Sequence, residues 1–158
     1  MSTSLPTEYR SGVGMMIINH QNKIFVGQRF DKDNAAWQMP QGGIDKGESA
    51  IVALKRELEE ETGIKKNFDI IKTSKKKYTY DLPISLQRKI WKGKYKGQEQ
   101  RWFLVKFIGN DEEININTKK PEFKKWKWTH KEKLIDIIVP FKKELYKNIL
   151  EEFKHELV

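Results

Sequence analysis

Three glutamates near the middle of the chain are the residues whose type and spacing most clearly indicate chemistry. Glu57, Glu60 and Glu61 stand at positions i, i+3 and i+4, so a helix brings them to one face, where each exposed like-charged pair costs roughly 0.2–0.5 kcal/mol. They also precede Gly63, a predicted helix C-cap, and the negative end of the helix dipole disfavours acidic side chains there. We therefore expect a compensating cation beside them.

The apolar face of the same helix strengthens this expectation. Successive helix residues are about 100° apart, so Ala50, Ala53 and Leu54 share a face, and that face contains the three glutamates when it is continued toward the C-terminus. If the three glutamates formed only a solvated acidic surface, they would lie on the helix face opposite Leu54, and they do not. Clustered carboxylate oxygens suit a hard divalent cation such as Mg²⁺, or Mn²⁺ in its place, which is commonly shared with substrate phosphates. The sequence therefore predicts a magnesium site that acts on phosphates.

A glycine-rich loop precedes this helix. Gly42, Gly43 and Gly47 permit a tight turn and let backbone N–H groups approach an anion. We expect Gly42 and Gly43 to contact substrate phosphates. Arg56 lies four residues before Glu60, so the two side chains can form an ion pair that helps to hold the carboxylates in place.

The same segment resembles the signature of the Nudix hydrolases. Every fixed position of that pattern is filled. Gly42 is followed after five residues by Glu48, and after seven more residues by the run 56–64. The context of strand, glycine loop and helix agrees with the motif. The resemblance implies an α+β protein with the Nudix fold, an α/β/α sandwich with a mixed β-sheet. It also implies hydrolysis of a nucleoside diphosphate linked to another group, with divalent metals held by the glutamates of the box.

Motifs outside the box resemble one branch of that family, the bacterial RNA pyrophosphohydrolases, also described as dinucleoside polyphosphate hydrolases. These motifs extend over nearly the whole chain: Tyr9-Arg10 with Val13-Gly14, 28–30, 37–44, Gly97-Gln98 with 101–104, 121–123 with Trp126 and Trp128, and 139–142 with Tyr146. The chain departs from the branch at Met39, where Phe is more common, and in the loop from Phe30 to Ala36, which is somewhat long.

The resemblance also implies roles for individual residues. Glu57 would serve as the general base, Arg56 is grouped with it as a catalytic residue, and the sequence-remote Glu122 would complete the metal site. Arg10 and Arg29 would bind phosphates, which guanidiniums can do in a bidentate manner. Phe141 and Lys142 would contact the first base and its surroundings. Taken alone, the two arginines could be solvated and Phe141 could be the first core residue of a terminal helix.

Length and composition bound the class of protein. The 158 residues fit one domain, 1–158, and a chain of this size buries about 70% of its unfolded surface. The absence of cysteine excludes disulfides and thiolate chemistry. No apolar run approaches the roughly 20 residues that span a bilayer, so we expect a cytoplasmic protein without a membrane partner. Nothing in the sequence indicates an oligomeric state.

Hydrophobic patterning predicts strands and helices in an irregular order, as in α+β proteins. Strands are predicted at 14–18, 23–27, 37–39, 68–73, 77–82, 101–108 and 122–128. Besides the box helix, apolar residues recur every fourth position from Phe141 to Leu157 and predict an amphipathic terminal helix that begins at Pro140. The polar stretch 110–120 is predicted to be a loop.

The net charge of +9 indicates an anionic partner. Basic residues between Lys75 and Lys96 alternate with aromatic residues, an arrangement that could guide an RNA 5′ end through phosphate contacts and base stacking. A lysine-rich chain would equally present such residues as a solvated surface, and both interpretations stay open.

Three functions are therefore compatible with the sequence. The first is removal of pyrophosphate from the 5′-triphosphate of RNA, and the second is asymmetric hydrolysis of dinucleoside polyphosphates such as diadenosine tetra- or pentaphosphate. Both would use the same metal site. The third is a non-catalytic module that binds RNA or nucleotides, which would be expected to lack a box carboxylate, whereas all are present.

Overall fold

The computed structural model describes residues 4–30 and 36–158. Within these residues the chain forms one seven-stranded sheet. Its strands are β1 (Tyr9–Ile18), β2 (Ile24–Arg29), β3 (Gln41–Gly43), β4 (Phe68–Thr73), β5 (Tyr78–Asp81), β6 (Gly97–Phe107) and β7 (Phe123–Thr129). The α-helices are α1 (Ala50–Thr62), α2 (Ile84–Gln87), α3 (Lys131–Ile137) and α4 (Lys143–Glu152), and 3₁₀ turns lie at Ile90–Gly93, Asp111–Glu113, Pro140–Lys142 and Lys154–Glu156.

The sheet is mixed, as predicted. Its main order is β4-β6-β1-β2-β7, with β3 paired to β1 and β5 paired to β6. The long central strands β1 and β6 run parallel, and the other pairs are antiparallel. In this order β7 is an edge strand that pairs with β2 along its length, from Ile24 to Arg29.

Two apolar cores cover the two faces of the sheet, because successive residues of a strand point to opposite sides. In β1, Met15 contributes to the core beneath α1, whereas Met16 contributes to the core beneath α3 and α4. The first core includes Leu54 of α1 and the second includes Ile149 of α4, all fully buried. Helices on both faces of a mixed sheet confirm the predicted α/β/α sandwich.

The box helix α1 begins and ends at residues that favour helix termini. Ser49 is the N-cap and its side chain accepts a hydrogen bond from the Val52 N–H, which satisfies one of the free amides of the first turn. Gly63 adopts a left-handed conformation with φ of 76° and donates its N–H to the Glu59 carbonyl. This C-cap was predicted, and glycine adopts the conformation without the steric cost of a Cβ.

Some predicted elements differ from the structure. Residues 37–39 do not form a strand but make two isolated bridges at Trp37 and Gln38, and the strand lies after Pro40, where Gln41–Gly43 pairs with β1. The short helices α2 and α3 were not predicted, because elements of four to seven residues carry too little periodicity. The stretch 110–120 contains one 3₁₀ turn and otherwise no regular element.

The C-terminal segment also differs in detail. Pro140 occupies the first turn of a helix as predicted, but that helix is a 3₁₀ turn that ends at Lys142 before α4 begins. Leu145 and Ile149 are buried in the core, whereas Phe141 is only half-buried. The long loop predicted between Phe30 and Ala36 falls on residues 31–35, outside the described residues. In the part of the chain that is described, no helix has the length and apolarity needed to cross a membrane.

Candidate active site

One open cleft collects most of the residues that the sequence singled out. Its volume is about 280 Å³, and its wall combines two guanidiniums, three carboxylates and the backbone of the glycine loop. It is lined by Arg10 of β1, Arg29 of β2, Gln41, Gly42 and Gly43 of β3, Glu57 and Glu61 of α1, Trp91, Gln98 of β6, and Glu122 immediately before β7. The fold therefore brings seven of the predicted site residues together from five different segments.

Glu61 is the most unusual group in this cleft. It is only 3% exposed, and its Oε2 is buried without a hydrogen-bond partner among the described residues. Burial raises the pKa of Glu61 well above its usual value, the negative charges of Glu57 and Glu122 raise it further, and Arg29 opposes the effect. A buried polar atom without a partner costs roughly 1–3 kcal/mol. A cation bound at this point would therefore stabilise the folded protein.

Glu57 lies against the glycine loop. Its side chain is 13% exposed, and its Oε1 accepts a 2.8 Å hydrogen bond from Arg56. Burial raises the pKa of Glu57, and the hydrogen bond from Arg56 counteracts part of that rise. A Cβ on residue 42 would overlap the Glu57 carboxylate. Gly42 is therefore required because a carboxylate occupies the space in which a side chain would lie.

Glu122 enters the cleft through strand pairing. The antiparallel pairing of β2 and β7 places Arg29 opposite Phe123, with a shift of register beside it, so the preceding Glu122 lies next to Arg29. Arg29 Nη1 lies 3.4 Å from Glu122 Oε2, and both side chains are partly exposed. The predicted metal ligand and the predicted phosphate-binding arginine are thus direct neighbours.

Arg56 directs all five of its N–H groups to neighbouring oxygens. It binds Glu48 through two hydrogen bonds of 2.8 Å, Glu57 at 2.8 Å, Glu60 at 3.3 Å and the Gly43 carbonyl at 2.9 Å. The hydrogen bonds with Glu48 raise the pKa of Arg56 and lower that of Glu48 to about 2. Because its donors are used within the protein, Arg56 acts as a positioning residue that ties the glycine loop to the carboxylates of α1.

The bidentate partner of Arg56 was missed at the sequence level. The ion pair of Arg56 with Glu60 was predicted, but no contact between Arg56 and Glu48 was. The signal was present, since the box pattern contains a fixed glutamate at position 48. What the spacing could not indicate is that the loop before α1 folds back far enough for Glu48 to reach a residue two turns into the helix.

Glu60 does not face inward as its position on the helix projection predicts. Its side chain is 53% exposed, whereas Glu61 is buried. Ala53 projects in nearly the same direction two turns earlier and is fully buried, so this flank of α1 is covered at its beginning and open at its end. Glu60 is linked to Glu57 and Glu48 by the hydrogen bonds that all three accept from Arg56.

A second, mostly apolar pocket adjoins the cleft. Its volume is about 130 Å³, and it shares Arg29, Gln41 and Trp91 with the cleft. The rest of its wall is formed by Gln38, Tyr80, Leu82, Leu86, Ile90, Val139, Phe141 and Lys142. Aromatic rings beside a polyphosphate-sized polar cleft are an arrangement that suits a nucleobase next to its phosphates.

The predicted pair Phe141-Lys142 belongs to this pocket. The Phe141 ring lies 6.0 Å from the Tyr80 ring, and Phe141 forms part of the pocket wall while it also packs against the core. Lys142 is only 4% exposed. Its Nζ donates to Gln41 Oε1 at 3.0 Å and lies 5.0 Å from the centre of the Tyr80 ring, which compensates its charge inside the pocket wall.

Arg10 is held beside the glycine loop. A Cβ on Gly43 would overlap its guanidinium, and the guanidinium carbon lies 5.2 Å from the centre of the Trp91 ring.

The basic and aromatic segment between Lys75 and Lys96 contributes to different cavities. Trp91 lines the cleft, whereas Lys75 lines a separate groove beside α4.

The residues of the cleft fit a hard divalent cation. Within residues 4–30 and 36–158, no three His, Cys, Asp or Glu side chains are already arranged as a group that could hold a metal ion, and arginines occupy oxygens of Glu57 and Glu122. Nevertheless, three carboxylates line one cleft, and the buried Glu61 Oε2 has no partner. Carboxylate oxygens are the ligands that Mg²⁺ and Mn²⁺ prefer.

Comparisons with known proteins agree with this site. The NUDIX domain family matches residues 8–149. A Rickettsia canadensis (strain McKiel) protein named RNA pyrophosphohydrolase is 53% identical over 149 residues, which cover 94% of this chain and 92% of the relative. The protein of the same name from Rickettsia bellii (strain OSU 85-389) is 52% identical over 150 residues, or 95% and 92% of the two chains.

Solved structures show the same fold at low sequence identity. The C. elegans Ap4A hydrolase matches with a TM-score of 0.65 and 21% identity, over 95% of this chain and 99% of that one. The E. coli dihydroneopterin triphosphate pyrophosphohydrolase matches with a TM-score of 0.65 and 16% identity, over 90% and 97%. Nudix hydrolases generally use divalent cations, a property that the three carboxylates lining the cleft fit. The chain therefore belongs to the NUDIX domain family, as a Nudix hydrolase.

Proposed function

We propose that this protein removes pyrophosphate from the 5′-triphosphate end of RNA by hydrolysis that depends on a divalent cation, with Mg²⁺ as the preferred ion. The observation that carries the proposal is the contact between two cavities that share Arg29, Gln41 and Trp91. One is lined by carboxylates and guanidiniums, which suit a metal-bound polyphosphate, and the other is largely apolar and aromatic, which suits a base. The name RNA pyrophosphohydrolase of relatives more than 50% identical supports RNA as the substrate.

Three carboxylates would hold the cation. Glu57, Glu61 and Glu122 line the cleft, while Glu60, which is not part of its lining, would contribute through a change in its contact with Arg56. When bound, a divalent ion neutralises charge on the phosphates and lowers the pKa of a coordinated water. The protein's part is to present buried oxygens whose mutual repulsion favours a cation over an empty site, as the raised pKa of Glu61 indicates.

Phosphate binding would fall to the two arginines and the loop backbone. Hydrolysis of a phosphoanhydride depends mostly on positioning and on stabilisation of developing negative charge. Arg10 and Arg29 lie on the wall of the cleft together with Gly42 and Gly43 of β3. Their guanidiniums can bind phosphate oxygens in a bidentate manner.

Glu57 would act as the general base. Arg56 binds its Oε1, which fixes the side chain and leaves Oε2 to accept a proton from the attacking water. Burial raises the pKa of Glu57 and so makes the carboxylate a better proton acceptor. The water oxygen would bond to a phosphorus atom, and the bond from that phosphorus to the bridging oxygen would break, so that pyrophosphate leaves and a 5′-monophosphate remains on the RNA.

The alternative substrate is a dinucleoside polyphosphate, such as diadenosine tetraphosphate. The same cleft would bind its polyphosphate chain, and the fold matches that of an Ap4A hydrolase, although at 21% identity this likeness concerns the fold alone. A non-catalytic binding module is less well supported, since every carboxylate of the box is present. The single domain over 1–158 and the cytoplasmic location stay predictions.

The proposal can be tested with matched variants of α1. The wild-type protein, Glu57→Gln and Glu59→Gln would each be incubated with Mg²⁺ and a 5′-triphosphorylated oligoribonucleotide, and separately with diadenosine tetraphosphate. We expect pyrophosphate and 5′-monophosphorylated RNA from the wild type. Loss of a general base should lower the rate by roughly 10²–10⁴-fold in Glu57→Gln, whereas the control should keep its rate, because Glu59 is 52% exposed and outside the cleft.

Each outcome discriminates between the candidates. Absence of turnover of both substrates would contradict the enzymatic proposal. Faster turnover of diadenosine tetraphosphate than of RNA would establish the alternative substrate. Full activity of Glu57→Gln would refute the role of Glu57 while leaving the reaction intact.

A further inference from the structure

The backbone at Trp91 is unusual for a bulky residue. Trp91 and Lys92 both lie in the left-handed region, with φ of 52° and 58°, and are followed by Gly93 with φ of 73°. Glycine adopts this conformation readily, but a tryptophan there is a genuine outlier. Strained residues persist only where surrounding structure holds them, and they cluster at functional sites.

The indole of Trp91 occupies the junction of the two cavities. It lines both the carboxylate cleft and the apolar pocket, and it is the only aromatic residue that these two linings share. The Arg10 guanidinium lies 5.2 Å from its ring centre, and the Tyr95 ring meets it at 6.2 Å in an edge-on arrangement. The indole thus has two protein partners among the described residues, while the residue remains only partly buried.

A left-handed turn is a costly way to place an indole if it only fills space. The neighbouring Ile90, which is only partly buried, also lines the apolar pocket but does so without a positive φ. Trp91 instead extends a flat aromatic surface to the point where a phosphate chain in the cleft would meet its nucleoside. Its contact with Arg10, a predicted phosphate ligand, connects that surface to the phosphate end of the substrate.

We propose that Trp91 is a specificity-determining residue that stacks on the first nucleobase of the substrate, with Arg10 beside it on the phosphates. This inference rests on the proposed function, since it assigns the base contact of the same site. Base–aromatic stacking tolerates every base, because each has a π-face. The strained turn would therefore select substrates that carry a base next to the polyphosphate, without selecting which base.

The competing explanation is that Trp91 merely supports Arg10. In that case its removal would weaken every polyphosphate substrate to the same degree, whether or not a base is present. The decisive comparison is therefore between a 5′-triphosphorylated oligoribonucleotide with adenine at its first position and the same oligonucleotide with an abasic first nucleotide.

The experiment measures kcat and KM for both oligonucleotides with Mg²⁺, using the wild type, Trp91→Ala, Trp91→Leu and Trp91→Phe. We expect Trp91→Ala to raise KM for the adenine substrate by roughly 5- to 150-fold, the range of base–aromatic stacking, with kcat within a few-fold. The abasic substrate should already bind weakly and change less than about twofold. Trp91→Phe should restore most of the preference for the base, and Trp91→Leu should not.

Controls separate stacking from folding. Trp126 is half-buried and stacks on Phe25, with ring centres 5.3 Å apart, outside both cavities, so Trp126→Phe should leave the preference unchanged. If Trp91→Ala does not fold, as judged by circular dichroism, the comparison of Leu with Phe decides, because both retain a large apolar side chain and only Phe can stack.

The outcomes also distinguish this inference from the proposed function. Equal losses on the two substrates, or an unchanged KM for the adenine substrate, would overturn stacking by Trp91 while the reaction itself stands. If the wild type does not hydrolyse either RNA, the proposed function fails. Stacking by Trp91 is then tested by the dissociation constants of the same two oligonucleotides in Mg²⁺, compared as the ratio of the abasic to the adenine value in each variant. Equal affinities for the two oligonucleotides in the wild type would refute it there.

Discussion

The buried carboxylate of Glu61 leads to an experiment on stability rather than on rate. Glu61 is 3% exposed and its Oε2 lacks a partner among the described residues, while Glu57 and Glu122 add negative charge around it. Substitution by glutamine keeps the shape of the side chain and removes the charge. The metal-free protein should therefore become more stable, although a residue predicted to be essential has been changed.

The magnitude follows from the cost of the unpartnered group. An unpartnered buried group costs roughly 1–3 kcal/mol when it is neutral and more when it is charged, so we take removal of the charge to be worth a similar amount. One kcal/mol shifts the Tm of a chain of this size by roughly 2–4 °C. In EDTA, Glu61→Gln should thus unfold roughly 2–12 °C above the wild type. Mg²⁺ at 100 times its dissociation constant would stabilise the wild type by about 2.7 kcal/mol, and the variant should lose most of that gain.

The pH dependence has a definite sign. Because burial raises the pKa of Glu61 in the folded state, its contribution to stability is present below the ordinary glutamate pKa and is lost as pH rises through the folded-state pKa. The wild type in EDTA should therefore lose stability relative to Glu61→Gln as pH is raised above the ordinary glutamate range.

The assay is thermal unfolding of both proteins in EDTA and in Mg²⁺, with Glu59→Gln as the matched control on the same helix. Glu59 is exposed, and its Oε1 lies 3.7 Å from the Nζ of the exposed Lys65. Its substitution should therefore change the free energy of unfolding by less than about 0.5 kcal/mol in either buffer. The reasoning is refuted if Glu61→Gln is no more stable than the wild type in EDTA, or if Mg²⁺ stabilises both equally.

Two further predictions concern the residues that hold the carboxylates. Arg56→Lys should lower the free energy of unfolding by roughly 1–3 kcal/mol and reduce the rate of pyrophosphate release, because lysine cannot reproduce the bidentate contact with Glu48. Chemical denaturation measures the change in stability, and Glu48→Gln should also lower it. Gly42→Ala should abolish most activity because its Cβ would displace the Glu57 carboxylate, whereas Gly47→Ala, with φ of 85° and open space around the new Cβ, should cost only about 1–2 kcal/mol of stability and keep its rate. Unchanged activity in Gly42→Ala, or equal loss in both glycine variants, would contradict the role assigned to the loop.

The box helix shows how far local sequence information extends. Its C-cap at Gly63, its apolar residues and the inward position of Glu61 follow from about one hundred degrees of rotation per residue and from ordinary capping preferences. These effects act over a few residues, and the family signature adds the chemistry of the carboxylates. The exposure of Glu60 does not follow, because it depends on where neighbouring parts of the chain cease to cover α1.

The sequence by itself determined the reaction class, since the spacing of the carboxylates and the glycine loop matches the Nudix signature. Only the tertiary structure decided how the predicted site residues come together and which further residues join them. Glu122 lies beside Arg29 because β2 and β7 pair at the edge of the sheet, and Trp91, whose backbone is left-handed, lines both cavities. Strand pairing between distant segments and strained backbone leave no periodic pattern in the sequence, because the contacts that stabilise them come from residues far away along the chain.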